Sequence, residues 1–520
     1  MSLVKSKWID FLRQYGPIPN NDNMYDEAIQ RAAQRTGIEP LSFEAVYLDV
    51  LVNNFNSSNP KSVILTGTAG DGKTFYCRKV WGELGGSIEQ WEKGNKIQSI
   101  TLANSQKLIV IKDLSELSPN DRQILGDIAE TLLGQSEDKL LLIAANDGQL
   151  IEALRDVDHN SNVSKVKPFI EDLLITGESE TTGLNLYLYN LSRIGIQSIF
   201  PKILDSILQH HGWELCNDCS YCVSGGERYW PIWENKIRLE GKKDNGITRF
   251  RLTDLLELCE LNGMHLPIRQ LIILIVNALL GHPNVKDKLL VCKDIPRILE
   301  SGQNSLASLY TNILGENLPE RKRETTEVFA NLSTFGIGYE TNNRIDNLLI
   351  FGEDDPKLKP YYEELLLSDT IYGSDSDFRA AQKAYLEGGS YEVRKAFLIK
   401  LKFQRQRLFF TIPVDYEEEM RPWDLTLFRS AGEYLNEVYR NTEKAGKVRK
   451  PLLMKLVKGF NRVATGLLVE NQDVLILATS GRYSQSRVSR VLEEYLSVTK
   501  KRGEYVNLEI DDIGKLNFVV

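Results

Sequence analysis

Cysteine is scarce, with six in 520 residues. That is too few to staple a chain of this length, so a disulfide-built scaffold is excluded and a reducing, cytoplasmic setting is expected. Long apolar runs are absent as well. No stretch approaches the ~20 residues that a bilayer-spanning helix needs, so no membrane partner is expected. The opening Met1-Ser2-Leu3-Val4-Lys5-Ser6-Lys7-Trp8 carries basic residues with no apolar core behind them, so no secretory signal is expected. Positive charge is not in excess: 63 Lys and Arg stand against 71 Asp and Glu, a net charge of −8. This argues against nucleic-acid binding over the whole surface but leaves room for a local basic face. Internal repeats are also missing. The remaining composition, 42% hydrophobic and 26% charged, is that of a globular protein, and the length predicts two to four domains.

The most specific feature is Gly67-Thr68-Ala69-Gly70-Asp71-Gly72-Lys73-Thr74, a complete G-x-x-x-x-G-K-T loop. It follows the apolar run Val63-Ile64-Leu65 and precedes a helix predicted from Phe75, the strand–loop–helix setting the motif requires. Glycines at these positions let successive amides turn inward toward phosphate oxygens, and the following helix adds its positive end. Lys73 is expected on the β- and γ-phosphates and the Thr74 hydroxyl on Mg²⁺. The competing reading is a glycine-rich turn with an accidental lysine.

A phosphate loop needs a second strand that ends in an acid. Leu108-Ile109-Val110-Ile111-Lys112-Asp113 supplies a buried-strand pattern with Asp113 at its end, placed for Mg²⁺. Glu116, three residues on, is either the carboxylate that polarises an attacking water or a solvated cap. A helix is predicted to start at Ser118-Pro119. It is followed by a third apolar strand, Leu140-Leu141-Leu142-Ile143-Ala144-Ala145, ending in Asn146-Asp147. Asn146 reads as a γ-phosphate sensor or as a turn residue. This order predicts an α/β fold with a P-loop NTPase (AAA+/ASCE-like) parallel sheet core. Residues 24–56 are expected to be helical, with a second helix from Phe43 to Phe55, and to cover the base. ATP over GTP is an inference from class.

A helical lid is predicted over 249–280. Arg269, in the first turn of its second helix, is expected to meet either a γ-phosphate or a carboxylate of the protein. Arg155 and Arg193 are candidates for a finger donated to a neighbouring subunit, as in an oligomer. Cys216-Asn217-Asp218-Cys219-Ser220-Tyr221-Cys222 gives two overlapping C-x-x-C steps. With His211 upstream, Cys216, Cys219 and Cys222 would make a four-coordinate structural Zn²⁺ site, set against the alternative of unliganded thiols. Cys77, Cys259 and Cys292 read as core residues. Residues 353–377, rich in acids and tyrosine, read as a surface excursion. Two basic runs follow. Arg394, Lys395, Lys400, Lys402, Arg405 and Arg407 share one helical segment. Lys444, Lys447, Arg449, Lys450, Lys455, Lys458 and Arg462 form a stretch with no acid among them. Each is a candidate contact for DNA or an acidic partner, or simply a solvated face. The expected divisions are 1–56, 57–205, 206–240, 241–300, a helical 301–440 and a small α+β module over 441–520.

Taken together, these segments resemble the DptF family, the ATPases of DNA phosphorothioation-dependent restriction systems. The resemblance is carried by Thr66–Thr74, Lys112-Asp113-Leu114-Ser115-Glu116-Leu117, Ala144–Gly148, Leu266-Pro267-Ile268-Arg269, Gly336-Ile337-Gly338-Tyr339-Glu340 and Val457–Arg462 with Thr465-Gly466. It implies an ATP- and Mg²⁺-dependent subunit of a bacterial or archaeal defence complex. That complex would act, with partner subunits, on DNA that lacks phosphorothioate modification, and cleavage would belong to a partner. Two alternatives stand beside it: a nucleotide-gated assembly switch with negligible hydrolysis, and a DNA-remodelling or translocating ATPase.

Overall fold

Val63-Ile64-Leu65 is too short for a helix and rich in β-branched residues. It forms the centre of β1 (Ser62–Thr66), buried along its whole length. The computed structural model describes residues 5–17, 26–92, 95–117, 124–136, 138–156, 160–217, 219–221, 230–465, 475–478, 495–498, 506–511 and 514–519. Four further strands complete a sheet with β1: β2 (Ile97–Thr101), β3 (Lys107–Ile111), β4 (Lys139–Ala144) and β5 (Leu186–Asn190). Their order is β2-β3-β4-β1-β5. The four strands β3, β4, β1 and β5 run parallel, with Ile64 beside both Ile143 and Leu188. β2 closes one edge as the antiparallel partner of β3. This is an α/β architecture with a mostly parallel sheet.

The helices Ile124–Leu132 and Ser161–Thr176 bury Leu125, Ile128, Leu132, Val163 and Ile170 against Ile64, Ile111, Ile143 and Leu188 of the sheet. The helix Lys73–Glu83 packs against β4. β1, β3 and β4 lie where their apolar runs predict them. The helix start expected at Ser118 falls outside the described residues.

The chain divides into two compact units, Met1–Leu427 and Phe428–Val520. In the first, the helices Ile196–Leu208, Ile247–Leu261 and Ile268–Leu280 stand together. Residues 271–280 are all buried, as the nearly all-apolar sequence of that helix requires. Cys77, Cys259 and Cys292 are buried, as expected. Among the described residues no helix is long and apolar enough to cross a membrane.

Three expectations need correction. The helix predicted from Phe43 begins at Leu48, and residues 41–45 run without regular structure, which turns Phe43 onto Phe75. Residues 353–377 are not a surface excursion: Tyr362, Leu366 and Tyr372 are buried and Asp369 is ion-paired to Arg238. The basic segment lies on the helix Tyr391–Thr411, but Arg405 and Arg407 point into the protein at 9% and 3% exposure.

In the second unit, the helix Lys450–Thr465 accompanies two antiparallel pairs, Leu475–Ala478 with Tyr495–Val498 and Asn507–Ile510 with Leu516–Val519. Leu452 packs with Val438 and Leu508. Within the 441–520 module, residues 484–494 lie outside the described residues, and Tyr495 and Leu496 belong to a strand.

Candidate functional site

The loop between β1 and the helix Lys73–Glu83 has a backbone that only glycine supports at two points. Gly67 has φ 137°, and a Cβ there would lie 2.7 Å from Asp71 Oδ2. Gly70 has φ 99° and backs onto Arg269, whose Cβ would be 3.1 Å away. The loop is also pinned by side chains. The Gly67 amide donates to Asp147 Oδ1 at 3.1 Å, and the Thr68 amide donates to Asp71 Oδ2 at 2.6 Å and Ser192 Oγ at 3.0 Å. Asn190 Nδ2 donates to Asp147 Oδ2 at 3.2 Å, which ties the end of β5 to the end of β4.

A cleft of about 210 Å³ opens beside this loop. Ala69, Gly70, Gly72, Lys73, Thr74 and Phe75 line it from the loop, Asp113 from the end of β3, Asn146 from the end of β4, and Arg269 from the helix Ile268–Leu280. Four separate chain segments thus bring the predicted residues to one place. Gly67, Thr68 and Asp71 belong to the loop but do not line the cleft. The far wall is Tyr15, Ile29, Gln30, Leu41, Phe43, Arg78, Ile268 and Ile272. Phe43 and Phe75 stack with ring centroids 4.8 Å apart.

Lys73 is 8% exposed, and its Nζ donates to Gly67 O at 3.1 Å and Thr68 O at 2.6 Å. Burial pushes its pKa down against the opposing charges of Asp71, Asp113 and Asp147. The Thr74 hydroxyl donates to Lys112 O at 3.4 Å, next to Asp113. Asp113 Oδ1 accepts from the Ser115 amide at 2.9 Å and the Ser115 hydroxyl at 2.7 Å, which fixes the carboxylate at the strand end. The Thr74 hydroxyl and the Asp113 carboxylate both line the cleft and are hard oxygen donors of the kind Mg²⁺ takes, so the residues present fit that ion. One turn into the helix, burial pushes the Cys77 thiol up to about 12, so it is an inert packing group.

Glu116 lies apart. Its side chain is exposed and does not line the cleft, and its backbone carbonyl is held by Lys96. Arg155 is exposed at the end of the helix Asp147–Asp156, and Arg193 donates to Leu174 O at 3.1 Å.

Of the four residues expected to hold Zn²⁺, three are described. Cys216 and Cys219 are buried in a turn closed by Cys219 N to Cys216 O at 3.2 Å. His211 instead faces Glu39 at 3.6 Å with its side chain 54% exposed. Cys222 is outside the described residues. Among the described residues no group of three or more His, Cys, Asp or Glu is placed to hold a metal ion.

In the second unit, Arg449 pairs with Glu437, and Lys455 with Glu433 at 2.8 Å, acids of the preceding segment that the run itself does not contain. Lys450, Lys455 and Lys458 line an open groove with Met454, while Lys447 and Arg462 are exposed.

Sequence reasoning missed Asp147, Ser192 and His265, which bond to the loop, and Asn190, which holds Asp147 and Ser192. In sequence Asp147 reads as half of a turn, and Ser192 is a small polar residue beside Arg193 with no pattern of its own. Comparison with known proteins gives no match: no family model, curated protein or solved structure is similar to this chain.

Proposed function

We propose that this protein is a P-loop nucleoside triphosphatase that binds ATP with Mg²⁺ in the cleft beside the 67–74 loop. The observation that carries the reading is the meeting of Lys73, Thr74, Asp113, Asn146 and Arg269, from four chain segments, around one cleft. The strand order supports it, because β4 stands between the loop-bearing β1 and the acid-ending β3, as in additional-strand ATPases. Lys73 reaches the β- and γ-phosphates by exchanging two backbone carbonyls for phosphate oxygens. Thr74 and Asp113 hold the ion, Asn146 orients the terminal phosphate or its attacking water, and Arg269 meets the γ-phosphate from the lid. The ion itself neutralises charge that develops on the phosphates. The aromatic and aliphatic wall of Phe43, Phe75, Ile29, Leu41 and Ile272 takes the base, with Gln30 as an amide near its edge.

A second reading, a nucleotide-gated switch with negligible intrinsic hydrolysis, is favoured by one observation: Glu116 is outside the cleft, and among the described residues that line it Asp113, which the ion uses, is the only carboxylate. The wider role, as the ATPase of a restriction complex acting on DNA without phosphorothioate, rests on the sequence resemblance. Turnover of ATP by the full chain, with and without duplex DNA and beside Lys73→Ala, separates the readings. Lys73-dependent hydrolysis supports the ATPase. Tight binding with no turnover, even with DNA, supports the switch.

A further inference from the structure

Asp71 belongs to the phosphate loop, yet it is 2% exposed and does not line the cleft. Its Oδ2 accepts from the Thr68 amide at 2.6 Å, the Thr68 hydroxyl at 3.0 Å and Ser192 Oγ at 2.6 Å. Its Oδ1 lies 2.7 Å from His265 Nε2. Burial pushes the carboxyl up, but the hydrogen bonds from His265 and Ser192, the His265 charge and the Thr68 amide outweigh it and hold Asp71 below the usual carboxylate range. An ionised carboxylate only accepts, so His265 carries a proton on Nε2 and donates it.

His265 stands three residues before the helix Ile268–Leu280. Two residues into that helix, the Arg269 amide donates to Gly70 O at 3.2 Å, and the Arg269 side chain lines the cleft. At the other end of the chain of contacts, the carbonyl of Thr68 accepts from Lys73 Nζ at 2.6 Å. A continuous path therefore runs from the lid through His265, Asp71 and Thr68 to Lys73.

We propose that His265 is a positioning residue. Acting through Asp71, it latches the lid helix to the phosphate loop, so that the seating of Arg269 and the placement of Lys73 change together. The inference rests on reading the cleft as a nucleoside triphosphate site. A buried pair that only holds the fold would lower stability and leave nucleotide preference alone. A latch changes how well the site tells a γ-phosphate from its absence, because Arg269 is registered on Gly70 beside it.

The test is the equilibrium affinity of the full chain for Mg·ATP and Mg·ADP in five forms: unaltered, His265→Ala, His265→Gln, Arg269→Ala and the His265→Ala, Arg269→Ala double variant, with thermal unfolding followed in each. Removing a charge-assisted hydrogen bond from the latch is expected to weaken ATP roughly tenfold and ADP clearly less. His265→Gln keeps an N–H donor and is expected to restore ATP binding to within about threefold. His265→Ala combined with Arg269→Ala is expected to cost little more than Arg269→Ala alone, since both act on one contact. Equal losses for ATP and ADP, no rescue by glutamine, or additive effects in the double variant would overturn the latch. An unaltered chain that binds neither nucleotide would overturn the underlying reading and the latch with it.

Discussion

Seven Lys and Arg side chains are buried among the described residues of the first unit, and five of them show two different ways of burying a charge. Arg238, Arg251, Arg405 and Arg407, on the helices beyond the sheet, are each at most 9% exposed, and each has a carboxylate partner: Asp369 at 2.9 Å, Glu417 at 2.8 Å, Asp346 at 2.6 Å and Asp369 at 3.4 Å. Lys73, at the edge of the sheet, is as buried but makes no ion pair among the described residues, and its ammonium rests on two backbone carbonyls. A buried charge paired by the protein holds the protein together. A buried charge left on neutral dipoles beside an open cleft is held ready for an anion. Charge in the sequence looks alike in both places, and the partners decide which it is.

The sharpest way to break this comparison is to remove the shared acid of the helical region. Asp369→Ala strands the buried Arg407 and leaves Arg238 with Glu234 alone, and it is expected to cost about 3–5 kcal/mol of stability in urea unfolding. A loss below 1 kcal/mol would mean that these pairs hold nothing. Acid gives a second view of the same group. Burial pushes the Asp369 carboxyl up, but the Arg407 and Arg238 charges outweigh it and hold it at about 2. A carboxyl held below its unfolded value stabilises above that value, and the contribution disappears as pH falls through the folded one. The advantage of the unaltered chain over Asp369→Asn should therefore shrink between about pH 4 and pH 2.

Lys73→Met is expected to act in the opposite sense. It removes a desolvated charge with no ionic partner among the described residues, so the melting temperature should hold or rise even as nucleotide affinity is lost. A clear drop in melting temperature would place Lys73 with the structural cations instead. Glu116→Gln should change any ATP turnover by less than about threefold, since the side chain stands in solvent away from the cleft. A loss of a hundredfold would return Glu116 to the site. The smallest effect belongs to the second unit, where Arg449→Ala breaks an exposed pair with Glu437 and should alter stability by a few tenths of a kcal/mol at most.

Much of the sheet was legible because its central strands are short apolar runs, and the 67–74 loop was legible because its chemistry fixes spacing along the chain. β2 carries Gln98, Ser99 and Thr101 at an edge, and β5 carries Tyr187, Tyr189 and Asn190, so neither announces itself as a core strand. What holds the loop was not legible at all. Asp147, Ser192 and His265 reach it across 80, 121 and 194 residues, and no local pattern encodes such contacts. The same limit misled the reading of the basic helix. Its charges are plain in sequence, but the acids that pair Arg405 and Arg407 lie 59 and 38 residues away.

The central claim is that the cleft beside Lys73 is a Mg·ATP site. Calorimetric titration of Mg·ATP into the full chain, beside Lys73→Met and Asp113→Ala, tests it most directly. The account predicts saturable one-to-one binding that Lys73→Met abolishes and that loses its Mg²⁺ dependence in Asp113→Ala. Binding that survives Lys73→Met unchanged, or no binding by the unaltered chain, would contradict it.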